Sequence, residues 1–74
     1  MNAIADFVKK RRKQAGLTQE EFAMRAGVAL TVIRKIEQGK ENLSLSKVNQ
    51  VLHMFGHILA PIIENNYATS DNKI

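Results

Sequence analysis

Apolar residues recur along this chain at three- and four-residue steps, the spacing of a single helix face. Ile4, Phe7 and Val8 form such a face, continued by Arg12 with Ala15 close to it, and Gly16 ends it. A first helix is predicted over residues 2–14. The run Lys9-Lys10-Arg11-Arg12-Lys13 fills its second half. Cations there complement the negative end of the helix dipole, and most of the run reads as a solvated face. Thr18-Gln19-Glu20-Glu21 is a capping box: the Thr18 hydroxyl accepts from the Glu21 amide, and the Glu21 carboxylate from the Thr18 amide. Phe22, Ala23 and Ala26 follow on one face, and Gly27 closes a second helix after about two turns. A third helix is expected over 30–38, with Val32, Ile33 and Ile36 inward and Gly39 as its stop. Residues 40–43 read as a loop and Ser44 as the next N-cap. Leu45, Val48, Val51, Leu52 and Phe55 make a fourth amphipathic helix, closed by Gly56. Phe22, Val32, Ile33, Leu45 and Phe55 are expected in the core.

The pattern changes after Gly56. His57-Ile58-Leu59-Ala60-Pro61-Ile62-Ile63 is apolar and rich in strand formers. Pro61 argues against a helix. A strand is tolerated only where residue 61 needs no amide donor, as at a sheet edge. One short strand cannot stand alone, so its expected partner is the same strand of a second chain. Residues 65–74 are polar and aperiodic, and disorder or fraying is expected there.

The 74 residues allow one small domain, of a size that often recruits a staple such as oligomerisation. The absence of cysteine excludes a disulfide framework and fits a reducing compartment. The longest apolar stretch, 58–63, is too short to span a bilayer. No basic-then-apolar leader opens the sequence, so a secreted or membrane protein is not expected. Charge says more. The net charge is +4; residues 1–40 hold nine basic and four acidic side chains, and residues 41–74 hold two and three. A basic half beside a near-neutral half suggests one surface for a polyanion and another for a different partner.

Catalytic chemistry finds little material. His53 and His57 stand four apart, but Gly56 interrupts the helix and no third ligand is evident, so no metal site is assigned. Ser44 and Ser46 lack a nucleophile context. The four glycines all close helices rather than cradle a phosphate. An enzyme is rejected, and no cofactor is expected.

Two short helices joined by a tight turn at Gly27 describe a helix-turn-helix. Its second helix enters the DNA major groove, which is about 12 Å wide and admits one helix. Leu30, Thr31, Arg34, Lys35 and Gln38 are expected on its outward side. Arg34 can bond a guanine edge bidentately, Thr31 can donate, accept or touch a thymine methyl, and Leu30 offers apolar contact. These three are the candidate base readers. Lys35 is expected on a phosphate, as are Lys40, Arg25 and Arg11.

Gly16-Leu17-Thr18-Gln19-Glu20-Glu21-Phe22-Ala23, Ala26-Gly27-Val28 and Ile33-Arg34-Lys35-Ile36-Glu37-Gln38-Gly39 resemble the XRE/Cro-C1 helix-turn-helix family over residues 4–56. Asn42-Leu43-Ser44-Leu45 and the ending from Leu52 to Asn65 are similar to the narrower group of HipB-like antitoxins. The resemblance implies an all-α, lambda-repressor-like bundle of four to five helices, with a short C-terminal strand pairing across a homodimer. Residues 1–56 would bind DNA, residues 57–64 would form the dimer strand through Ile58, Leu59, Ala60, Ile62 and Ile63, and residues 65–74 would be a polar tail. Gln19 matches the family position that bonds a backbone phosphate. Arg12 matches the first-helix arginine that pairs with a glutamate equivalent to Glu37, a structural pair that takes Arg12 off the DNA surface. Two positions depart from the family. Ala29 stands where relatives often carry a Ser or Thr cap, and Leu30 where they often carry a polar base reader. The implied function is a dimeric repressor of a palindromic operator in double-stranded DNA, cytoplasmic and nucleoid-associated in a bacterium. It would be the antitoxin of a HipA-like kinase toxin. A phage-type repressor or restriction-system controller is the alternative within DNA binding; a protein-interaction module without DNA binding is the alternative outside it.

Overall fold

The computed structural model describes residues 2–64, which form four helices: α1 (Ala3–Gln14), α2 (Gln19–Ala26), α3 (Leu30–Glu37) and α4 (Leu45–His53). The expected polar tail lies outside the described residues. Each helix starts where a local signal stands. Asn2 is a cap rather than a helical residue: its Oδ1 accepts from the amides of Ile4 (2.9 Å) and Ala5 (3.1 Å), so α1 begins one position later than its periodicity predicts. The capping box of α2 is complete, with the Thr18 amide 2.8 Å from Glu21 Oε1 and the Glu21 amide 3.0 Å from Thr18 Oγ1. Hydrogen bonding of the Glu21 carboxylate by the Thr18 amide first, and by the Thr18 side chain second, holds that carboxyl below the usual carboxylate range. Ser44 caps α4 through the Lys47 amide. Ala29 offers α3 no side-chain cap, so that helix depends on its packing.

Two helices end earlier than predicted. Gln38 is the C-cap of α3 and not its last residue. After His53 the amide of Phe55 bonds the Leu52 carbonyl, a three-residue step that tightens the chain into a turn before Gly56.

The core draws on all four helices. Val8, Phe22, Ile33, Ile36, Val48 and Val51 are fully buried, and Val32 and Phe55 pack partly buried against them. The Phe22 and Phe55 rings stack at 5.5 Å. Leu45 departs from its core assignment and is 71% exposed. It opens α4 at the rim of a shallow cavity lined by Ile4, Ile36, Leu43 and Leu59, and so lies outside the packed interior.

Residues 57–64 form no strand, and the described residues contain none. The physical reason is the lack of a second strand to complete a ladder. The segment is instead held at its start, where the His57 amide donates to the Leu52 carbonyl at 3.1 Å, and at Leu59, whose amide donates to Asn49 Oδ1 on α4 at 2.7 Å and whose side chain packs on the core. Ile58, Ile62 and Ile63 are exposed. No described helix is long and apolar enough to cross a membrane.

The turn between α2 and α3 has one demanding position. Gly27 adopts φ +76°, and a Cβ there would stand 3.1 Å from Gln50 Nε2. Left-handed backbone costs an L-residue about 1–2 kcal/mol. Gly27→Ala is expected to lower the melting temperature by about 4–8 °C for each kcal/mol in a domain of this size. An unchanged melting temperature would show that the turn relaxes freely.

Candidate nucleic-acid interface

α3 presents two opposite faces. Ile33, Ile36 and Glu37 are buried, while Thr31, Arg34, Lys35 and Gln38 are exposed. These four stand at steps of three and four, so they line one face of the helix. Arg34 and Lys35 make no side-chain hydrogen bond or ion pair among the described residues. Leu30 is only half on this surface, because part of its side chain packs on the core.

A buried ion pair fastens this helix. Arg12 Nε donates to Glu37 Oε2 at 2.7 Å and Arg12 Nη2 to Glu37 Oε1 at 3.1 Å, a bidentate fork. Arg12 Nη1 also donates to the Leu17 carbonyl at 2.8 Å. The side chains are only 12% and 3% exposed. Gln19 Nε2 adds a third bond to the same carboxylate, 3.0 Å from Oε1. One glutamate at the end of α3 therefore ties together α1 and the first residue of α2, while its partner Arg12 holds the loop between them. Gln19 carries two amide hydrogens; Glu37 takes one and fixes the direction of the other.

Burial pushes the Glu37 carboxyl up, but the hydrogen bonds from Arg12 and Gln19, helped by the charges of Arg12 and Lys9, outweigh it and hold the group below the usual range. The stabilisation from this shift is fully present above the unfolded value of about 4.3 and is lost as pH falls through the lower folded value. The stability gap between wild type and Glu37→Gln is thus expected to be full at about pH 7 and to narrow by about pH 3 in urea titrations. An equal gap at both pH values would contradict this.

The other predicted phosphate ligands separate. Lys40 and Arg25 are exposed, just past α3 and in the last turn of α2. Arg11 lies elsewhere: its guanidinium stands 4.8 Å from the Phe55 ring centre and 5.6 Å from that of Phe7. Consecutive helical residues diverge by about 100°, so while Arg12 turns to α3, Arg11 turns to the aromatic cluster beyond α4. Its cation–π contacts remove it from the α3 surface. His57 joins that cluster, its ring centre 4.6 Å from that of Phe7.

Three polar residues of α4 were not singled out from the sequence. Lys47 and Ser44 line the same shallow cavity as Lys35. A lysine in the first turn opposes the helix dipole, and that local conflict is the available signal. Gln50 Nε2 donates to the carbonyls of Ala26 (2.9 Å) and Gly27 (3.1 Å), so α4 grips the turn that sets the angle between α2 and α3. Asn49 holds Leu59. Nothing in an exposed-looking Asn-Gln pair announces either bond.

A family model described as helix-turn-helix matches residues 8–58. The chain belongs to the helix-turn-helix family. This helix-turn-helix chain is 43% identical over 61 residues, 78% of its length and 80% of the relative's, to an uncharacterized HTH-type transcriptional regulator, y4mF, of Sinorhizobium fredii. It is 37% identical over 49 residues, 66% of its length and 71% of the relative's, to an uncharacterized HTH-type transcriptional regulator of Methanothermobacter thermautotrophicus.

Proposed function

We propose that this chain is a sequence-specific transcriptional repressor that binds double-stranded DNA as a homodimer. The observation that carries the reading is the exposed row Thr31, Arg34, Lys35 and Gln38 on a helix braced from behind. Thr31 and Arg34, with the exposed part of Leu30, read base edges. Lys35, Lys40, Arg25 and the second amide hydrogen of Gln19 hold phosphates, with Lys47 beside Lys35. The relatives' names as HTH-type transcriptional regulators support regulation of transcription. The exposed Ile58, Ile62 and Ile63 support self-association through the C-terminal segment. The resemblance of the ending to HipB-like antitoxins supports a role as the antitoxin of a HipA-like kinase toxin, repressing its own operon in the cytoplasm.

Selection of bound duplexes from a random pool tests the reading. The expected product is a palindrome whose half-sites stand about 34–36 Å apart or a multiple of this, with affinity falling steeply as salt rises. Failure to enrich any sequence, or a salt-independent affinity, overturns it. A kinase-like gene directly downstream, whose product co-purifies with this chain, is the expected result for the antitoxin role; no such partner would remove that role alone. Gln19→Ala is expected to weaken binding to all sequences alike, and a changed base preference would refute the phosphate role.

A further inference from the structure

The turn between α2 and α3 is held unequally on its two sides. On the α2 side the backbone closes it, with the Gly27 and Val28 amides donating to the Ala23 carbonyl at 2.9 and 3.1 Å. On the α3 side Ala29 stands at the N-cap and offers no side-chain bond. Between the two, the carbonyls of Ala26 and Gly27 receive no backbone amide among the described residues. Gln50 Nε2 donates to both, at 2.9 and 3.1 Å. Gly27 and Gln50 also fit each other. A Cβ on residue 27 would stand 3.1 Å from Gln50 Nε2, tighter than ordinary contact. The glycine that bends the turn therefore leaves room for the amide that ties it to α4.

We infer that Gln50 is a positioning residue for sequence recognition: it fixes where α3 starts, and so how Leu30, Thr31 and Arg34 are aimed at base edges. This rests on the DNA-binding reading and names a residue off the α3 face that decides how well that face discriminates. The Arg12–Glu37 pair fastens the last residue of α3. Gln50 fastens the turn at its other end. A helix pinned at one end can swing; pinned at both, it has a direction. Leu30 and Thr31 come only three and four positions after Gly27, so a shift of the turn carries them directly.

Base reading is the contact most sensitive to such a shift. A recognition group must stay within about 0.5 Å and 10–20° of its productive geometry. A lysine ammonium on its flexible stem follows a phosphate through larger displacements. Gln50 is poorly suited to hold a phosphate itself. Both of its amide hydrogens are directed into its own chain, and what remains is an acceptor oxygen.

The test compares affinity for two duplexes well below the melting temperature: the sequence selected from a random pool, and a shuffled sequence of the same composition. Gln50 is exposed, so Gln50→Ala opens the two carbonyls to water and is expected to remain folded by circular dichroism. Its affinity for the selected duplex should fall about tenfold, comparable to one lost base contact, while that for the shuffled duplex stays within about twofold. Gln50→Lys returns an N–H donor over a similar reach. Its added charge strengthens both complexes alike, so the ratio of the two affinities should return to the wild-type value. A folded Gln50→Ala protein that keeps the wild-type ratio overturns the inference. Equal weakening on both duplexes also overturns it, by making Gln50 a DNA-backbone contact. So does a Gln50→Lys ratio as low as that of Gln50→Ala, since the donor would then not be what counts. Should Gln50→Ala not fold, Gln50→Asn, one methylene shorter, is read in its place by the same outcomes. A wild-type chain with equal affinity for every duplex overturns the DNA reading itself, and this inference with it.

Discussion

Arg12→Ala is expected to lower the unfolding free energy by about 3–5 kcal/mol, the cost of leaving one member of a buried ion pair without its partner. Glu37 would keep only the Gln19 bond, and the Leu17 carbonyl would lose its guanidinium donor. Small domains have about 5–15 kcal/mol in all, so urea unfolding should shift far toward low denaturant. The loss reflects an unpaired buried charge and not the net value of the pair. An Arg12→Met/Glu37→Leu double variant, which removes both charges and keeps apolar bulk, should therefore recover much of the stability. A loss below about 1 kcal/mol for Arg12→Ala would place the pair with solvated surface bridges. The double variant is informative about DNA as well. If the pair sets the position of α3, the recovered protein should still bind DNA more weakly than wild type.

Arg34→Ala is expected to leave stability within about 0.5 kcal/mol of wild type, since the side chain is exposed and away from packed features. Its effect falls on DNA: a loss of about 1–3 kcal/mol on the best sequence and a relaxed preference at one base pair. Lys35→Ala should weaken binding across sequences and reduce the salt slope by about 1. The two variants, measured on the selected duplex and on single-base variants of it, separate base reading from phosphate holding. Uniform weakening by Arg34→Ala would move Arg34 to the phosphate class.

What could be read in advance depended on sequence distance. The Thr18–Glu21 box and the Ser44 cap close over three residues, so the residue types at those positions specify the bonds wherever the chain goes. Gly16, Gly27, Gly39 and Gly56 all adopt positive φ, in line with the stops read from the sequence. Thr31, Arg34, Lys35 and Gln38 share a face because helical geometry leaves no other arrangement. The Arg12–Glu37 pair spans 25 positions, and it was legible only through resemblance to a family.

Other long-range features had no local trace. Arg11 and Arg12 are adjacent and chemically identical, yet one packs on aromatic rings and the other is buried against a carboxylate. Leu45 fits the helical stripe and still lies outside the core. Asn49 and Gln50 bond partners 10 to 24 residues away. A single chain also carries no second strand for residues 57–64, however strongly their composition favours one.

Helix positions, caps, stops and the polar row of α3 followed from the order of residues, because each is an interaction within about one turn. The docking of the helices chose which arginine meets Glu37, where α4 grips the turn and which residue of the C-terminal segment is anchored on α4. Those choices depend on how four short helices fill a shared interior, a global condition that no short stretch of the chain encodes alone.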